Sequence, residues 1–235
     1  MKFSMKAMKI LLAAMALLLL APGVRAQDDE FPELADHGIA LQQVIKEWHD
    51  VGLYTAGWDE KPTIRNYFVG LAHAFPNDLF QMIENKMLGL NVEGGLMNYV
   101  LDVQNGFISG ELGTETSPSV QMCYWRCNDG SRLIGVALMG YEYNLEEPDP
   151  SWSDEEAEDN IFVNLTDLAF FRIRGDEAIW RPVSARQVCG RDINFREFDE
   201  IRLPRQGKDI ELDIVGEEVR TTTLKWNGNG FTVSR

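Results

Sequence analysis

Three hydrophobic rhythms succeed one another along the 235-residue chain. Ile10 to Leu20 is an unbroken apolar run, residues 41–87 repeat at spacings of three and four, and from Tyr99 the period falls to two. Leu41, Val44, Ile45, Trp48 and Val51 share one face of a predicted helix that Gly52 closes. Lys61-Pro62-Thr63 predicts the start of a second helix, with proline in its first turn; its stripe is Ile64, Tyr67, Phe68, Leu71, Ala72 and Phe75, and Pro76 ends it. Asn77 or Asp78 caps a third, shorter helix whose inward residues are Leu79, Met82, Ile83 and Met87. Residues 34–88 therefore read as a helical part.

The strand part, 98–235, opens with Tyr99–Val103 and Phe107–Leu112 about Asn105-Gly106, a hairpin signature whose two central positions are expected at positive φ. Val120–Cys127 and Leu133–Tyr143 form a second hairpin across Asn128–Ser131. The later strand is apolar on both faces, with Ile134, Val136 and Leu138 on one and Leu133, Ala137 and Met139 on the other, so it is central and covered on both sides, with the helices as its obvious cover. Residues 142–160 interrupt the pattern with nine carboxylates, two prolines and no Lys or Arg, which reads as an acidic surface loop. Leu168–Arg174 then pairs with Glu177–Arg181, Asp209–Val215 pairs with Val219–Trp226, and Phe231–Ser234 follows Asn227–Gly230. Helices followed by strands, without βαβ alternation, predict an α+β fold in which N-terminal helices pack on a mostly antiparallel β-meander sheet.

Lys2, Lys6 and Lys9 ahead of the apolar run, and Val24-Arg25-Ala26 behind it, predict a secretory signal peptide over residues 1–26 with cleavage near Ala26. The run is 11 residues, against about 18 for a membrane-crossing helix. No cysteine at the junction offers itself for lipidation. Residues 27–235 are then expected as a single soluble α+β domain, secreted or periplasmic. Losing Lys2, Lys6, Lys9 and Arg25, and no acid, takes the net charge from −15 to −19. Such a charge repels nucleic acid and anionic lipid, arguing against nucleic-acid binding and membrane insertion, and favours a basic protein partner. The acidic loop reads as a solvated surface, with weak calcium binding and docking of a basic partner as the alternatives; Trp152, beside Asp149, Asp154 and Glu155, is the one residue that favours docking.

In an oxidising compartment the three cysteines, Cys123, Cys127 and Cys189, allow one internal bridge. Cys123 and Cys127 on one strand stand beyond bridging distance, so the expected pair is Cys127 with Cys189, or Cys123 with Cys189. The competing reading makes all three small buried hydrophobes.

Catalytic chemistry is not announced. His37, His49 and His73 form no ligand pair on a helical face, and His73 points away from Ile64 and toward solvent. No Gly-x-Ser-x-Gly elbow occurs, and Gly130-Ser131 belongs to a hairpin turn. Strand-borne thiols are poor nucleophiles when buried. As a calcium loop the stretch from Asp149 fails, with Asp154 where glycine is required and Asn160 where glutamate is required. Asn227–Gly230 precedes no helix and reads as a turn rather than a phosphate cradle. Asn164-Leu165-Thr166 has the form of a glycosylation sequon. No catalytic, cofactor-binding or metal-ligating residue is therefore assigned. The expected function is that of an exported binding or interaction protein. The alternative is a secreted hydrolase whose carboxylate or cysteine site is assembled by the fold, and a further class is a small-molecule carrier with a helix lid.

Asp102-Val103-Gln104-Asn105-Gly106-Phe107, Met122-Cys123-Tyr124-Trp125-Arg126 with its Asn-Asp-Gly turn, and Leu224-Lys225-Trp226-Asn227-Gly228 before Phe231 resemble segments of uncharacterised secreted proteins of Bacteroidetes bacteria. The resemblance covers residues 62–235 in patches. It implies a Gram-negative envelope or secreted protein and brings no activity or site residue with it.

Overall fold

Thr63 is where extended chain turns into helix: its N–H and its hydroxyl both donate to Oδ1 of Asn66, at 2.9 and 3.0 Å. These two contacts fix the start of α1 (Ile64–Ala74) and leave Pro62 ahead of the cap rather than in the first turn. The predicted stripe is buried throughout. Asn77 caps α2 (Asp78–Met87) by accepting from the Phe80 N–H at 3.0 Å, and Leu79, Phe80 and Ile83 are its buried residues.

The computed structural model describes residues 53–54, 61–92, 95–113, 117–143, 162–174, 179–216 and 218–234. All of them lie in the compact unit Leu34–Arg235. The predicted signal peptide, the helix expected over 41–51, His37, His49, and Asp149, Trp152, Asp154 and Glu155 fall outside the described residues.

Seven strands form the central antiparallel sheet: β1 (Leu53–Tyr54), β2 (Leu96–Asp102), β3 (Phe107–Leu112), β4 (Ser119–Arg126), β5 (Arg132–Tyr143), β6 (Phe162–Ile173) and β7 (Ile179–Val183). Their order is β1-β7-β6-β5-β4-β3-β2, so β5 is the middle strand. Two-residue alternation sends Ile134, Val136 and Leu138 into the core under α1 and α2, together with Ile108, Met122, Phe171 and Trp180. Leu133 and Ala137 enter a second core on the other face, with Phe107, Cys123, Trp125 and Phe170.

The second cover is not helical. After β7 the chain makes a one-turn helix α3 (Ala185–Cys189), a 3-10 turn at Phe195–Glu197 and the strands β8 (Glu200–Arg202), β9 (Ile210–Ile214), β10 (Arg220–Trp226) and β11 (Phe231–Ser234). These four strands form a separate antiparallel sheet, ordered β11-β10-β9-β8. The single meander expected from the sequence is thus two sheets. Ile201, Leu212, Leu224 and Phe231 supply the second sheet's share of the core. Trp125 anchors it: the ring stacks on Trp226 at 5.8 Å, meets Phe231 edge-on at 5.1 Å, and donates through Nε1 to the Lys208 carbonyl at 2.9 Å. Gly230 permits the close approach of α3, since a Cβ there would lie 2.2 Å from the Val188 carbonyl oxygen.

Two local expectations need correction. The β2–β3 turn has Gly106 at φ +69 as its one left-handed residue, rather than two. Asp102 explains this, because its carboxylate accepts from the Asn105 N–H at 3.1 Å and from Asn105 Nδ2 at 3.0 Å, holding a longer loop over residues 103–106. Strand β6 begins at Phe162, not Leu168, and pairs residue for residue with β5 out to Tyr143↔Phe162. Glu142 and Tyr143 accordingly belong to a strand, and the acidic connection begins at residue 144.

Candidate functional site

The covering sheet stops short of one end of the central sheet, and the side chains there change character. On β3 and β4 the face toward the second sheet reads Phe107 and Cys123 in one row, Ser109 and Gln121 in the next, and Glu111 and Ser119 in the last. Apolar residues stand where β8–β11 cover them and polar ones where they do not. The uncovered end is a trough of about 410 Å³, floored by Ser109, Glu111, Ser119 and Gln121 and walled by Tyr141 of β5 and by Asp199 and Glu200 at β8.

Local geometry builds this trough with some strain. Among the described residues two that are not glycine have left-handed backbone, Asn98 at φ +49 and Ser117 at φ +39, and both line it. Asn98 sits where the β2–β3 register slips between Met97 and Val100, a bulge that turns its amide onto Glu111 Oε2 at 2.7 Å. Gln121 Oε1 accepts from the Leu203 N–H at 2.9 Å and ties the wall to the floor.

Three carboxylates border the trough, each engaged by a donor: Glu111 by Asn98, Glu200 by Arg202 at 3.0 Å, and Asp199 by the Val215 N–H at 2.6 Å. Arg202 also bonds Glu211 at 2.9 Å and Asp213 at 2.5 Å. The Asp213 hydrogen bond leads the pull that raises the Arg202 pKa above its ordinary value. Burial works against the charge on Asp213, but Thr221 and Arg202 outweigh it and hold its carboxyl below the usual range. The arrangement can receive cations and hydrogen-bond donors.

The residues singled out from sequence are scattered. Cys123, Cys127 and Cys189 are free and buried, with no bridge between any pair. Burial pushes the Cys123 thiol well up and the Cys189 thiol to about 11, where little nucleophilic thiolate forms. His73 is 69% exposed, 3.4 Å from Glu84. Ser131 hydrogen-bonds Asp129 and Arg172, as a turn residue does. Asn227 closes the β10–β11 turn by accepting from the Asn229 and Gly230 N–H groups. Asn164 lies within β6, opposite Tyr141. Among the described residues, no group of three or more His, Cys, Asp or Glu side chains is placed to hold a metal, and no helix is long and apolar enough to cross a membrane.

Sequence reasoning missed the trough. Its signal was a strand face that begins polar at Ser119 and Gln121 and turns apolar at Cys123 and Trp125. No family model, curated protein or solved structure matches this chain.

Proposed function

We propose that the protein is an exported, non-enzymatic binding protein that takes a cationic protein partner at the acidic end of its central sheet. The observation that carries this reading is the trough, where strained backbone, hydroxyl and amide side chains and three carboxylates meet. The nine-carboxylate stretch 142–160 continues from the same end of β5, so charge of one sign accumulates there. Buried free thiols and donor-engaged carboxylates suit recognition better than nucleophilic chemistry.

The test is capture of envelope and medium proteins from the native organism on residues 27–235, beside two variants: residues 144–160 replaced by a neutral linker, and Ser119→Trp to fill the trough. A basic protein held by the intact chain and lost from both variants supports the reading. Equal capture by all three removes it, and turnover of a hydrolysable substrate that Glu111→Gln abolishes would put the hydrolase in its place.

A further inference from the structure

Four strands end the two sheets, and three of them are closed to further pairing. β1 is two residues long, and β2 slips register between Met97 and Val100, a bulge that interrupts its outer row of backbone groups. The outer edge of β8 is taken up by the central sheet: the Ile201 N–H donates to Met139 Sδ at 3.4 Å, and the Leu203 N–H to Gln121 Oε1 at 2.9 Å. β11, which reads Phe-Thr-Val-Ser, has no charge, proline or bulge to close it. Its pairing phase is set at the preceding turn, where the Asn227 N–H donates to the Gly230 carbonyl at 2.9 Å. Alternation then points the backbone groups of Thr232 and Ser234 at Lys225 and Thr223 of β10, and those of Phe231 and Val233 away from it. Among the described residues, nothing bonds these outward N–H and C=O groups.

The open edge borders a groove of about 540 Å³, walled on its other side by the end of α3 and the residues that follow it. Phe231 and Val233 pack toward Val188 and Cys189, and Val233 stays half-buried, so the apolar row on that side is only partly covered. No carboxylate lines the groove, although the chain's net charge is −15. Arg191 is its one charged side chain, exposed and without an ion pair among the described residues. We propose that β11 is a docking edge, which takes an extended acidic segment of another protein as a fifth strand of the second sheet. The outward backbone groups supply the ladder, the Phe231 and Val233 row asks for an apolar residue at every second position, and Arg191 selects for a carboxylate. A second copy fits less well, because it brings another Arg191 and a like net charge where a counter-charge is needed. The groove shares no residue with the trough, so this inference stands or falls apart from the function proposed above.

The probe is a fluorescent peptide of alternating valine and threonine with a glutamate at each end, titrated with residues 27–235 and followed by anisotropy in about 0.15 M salt. The peptide is expected to bind. N-methylating one alternate set of its residues should weaken binding about tenfold or more, and N-methylating the other set should leave it unchanged, because only one set turns its N–H groups to β11. Val233→Pro deletes an outward N–H at an edge that tolerates proline, and should cause a similar loss with the urea midpoint held. Arg191→Gln should weaken the glutamate-ended peptide about threefold and leave a glutamine-ended one unchanged. No binding by the intact chain, equal loss from both N-methylated sets, or undiminished binding to Val233→Pro overturns the docking edge. Equal affinity for the glutamate- and glutamine-ended peptides overturns the acidic class of partner. Dimerisation in sedimentation that Val233→Pro abolishes would overturn the proposal in favour of a second copy.

Discussion

The two faces of the central sheet make the informative comparison. Under α1 and α2 the sheet is apolar nearly from edge to edge, with Ile108, Met122, Val136, Phe171 and Trp180 all sealed from solvent. On the opposite face the same strands are apolar over only part of their length, under β8–β11, and polar beyond it. The difference follows from how far each cover extends. A strand residue becomes apolar where something packs on it and polar where water remains, so the reach of the second layer is written in the side chains of β3 and β4.

The sharpest test of that comparison is a pair of substitutions on adjacent β6 residues that point to opposite faces. Phe171→Ala, in the helix-side core, and Phe170→Ala, under the second sheet, are each expected to cost about 3–5 kcal/mol in urea unfolding. If Phe170→Ala proves nearly neutral, the four-stranded sheet is not a stabilising layer and the comparison breaks.

A smaller loss, about 1–3 kcal/mol in the same measurement, is expected for Gly230→Ala, whose new Cβ would press on the Val188 backbone and pry α3 from the β10–β11 turn. An unchanged midpoint would show that α3 is not held there.

Acid should weaken the second sheet as Asp213 takes up a proton. The Asp213 carboxyl is depressed in the folded state, so its contribution is complete above the unfolded value near 3.9 and disappears as pH falls through the lower folded value. Asp213→Asn should therefore lower stability at neutral pH and flatten the acid limb of the stability curve; parallel acid limbs for the two proteins would contradict this.

Thiol labelling probes the core between the two sheets chemically. All three cysteines belong to buried surroundings, so none should react promptly with a thiol reagent in the native protein, and all three should react in urea without reductant. A single reactive thiol in urea would instead demonstrate the bridge expected from the sequence.

Smallest of all should be Ser119→Ala in the trough, within about 0.5 kcal/mol, because its half-buried side chain lines the trough and makes only a long 3.5 Å hydrogen bond to the Met139 carbonyl. A larger loss would mean that the trough is structural.

Much of this was legible residue by residue. The stripe Ile64, Tyr67, Phe68, Leu71, Ala72 and Phe75 is buried as its spacing predicts. The two-sided β5 is the middle strand, as its Ile134/Leu133 alternation implies. Phe80 escaped notice beside Leu79 because adjacent apolar residues blur a helical period. The stretch from Ser184 to Leu203 also went unread, since α3, the 3-10 turn and β8 are each too short to establish a rhythm.

Alternation assigned residues to faces and marked where strands begin and end, because side-chain direction is a local property of extended backbone. Partnership is not local. Only the tertiary structure decided that the strands after β7 leave the first sheet and cover it, that Trp125 anchors them through Lys208 and Trp226, and that their limit leaves a polar trough. It alone also carried Arg126, Arg132, Arg172 and Arg181, dispersed along the chain, to one end of the sheet, because ladder pairing brings together residues whose separation in sequence holds no periodic signal.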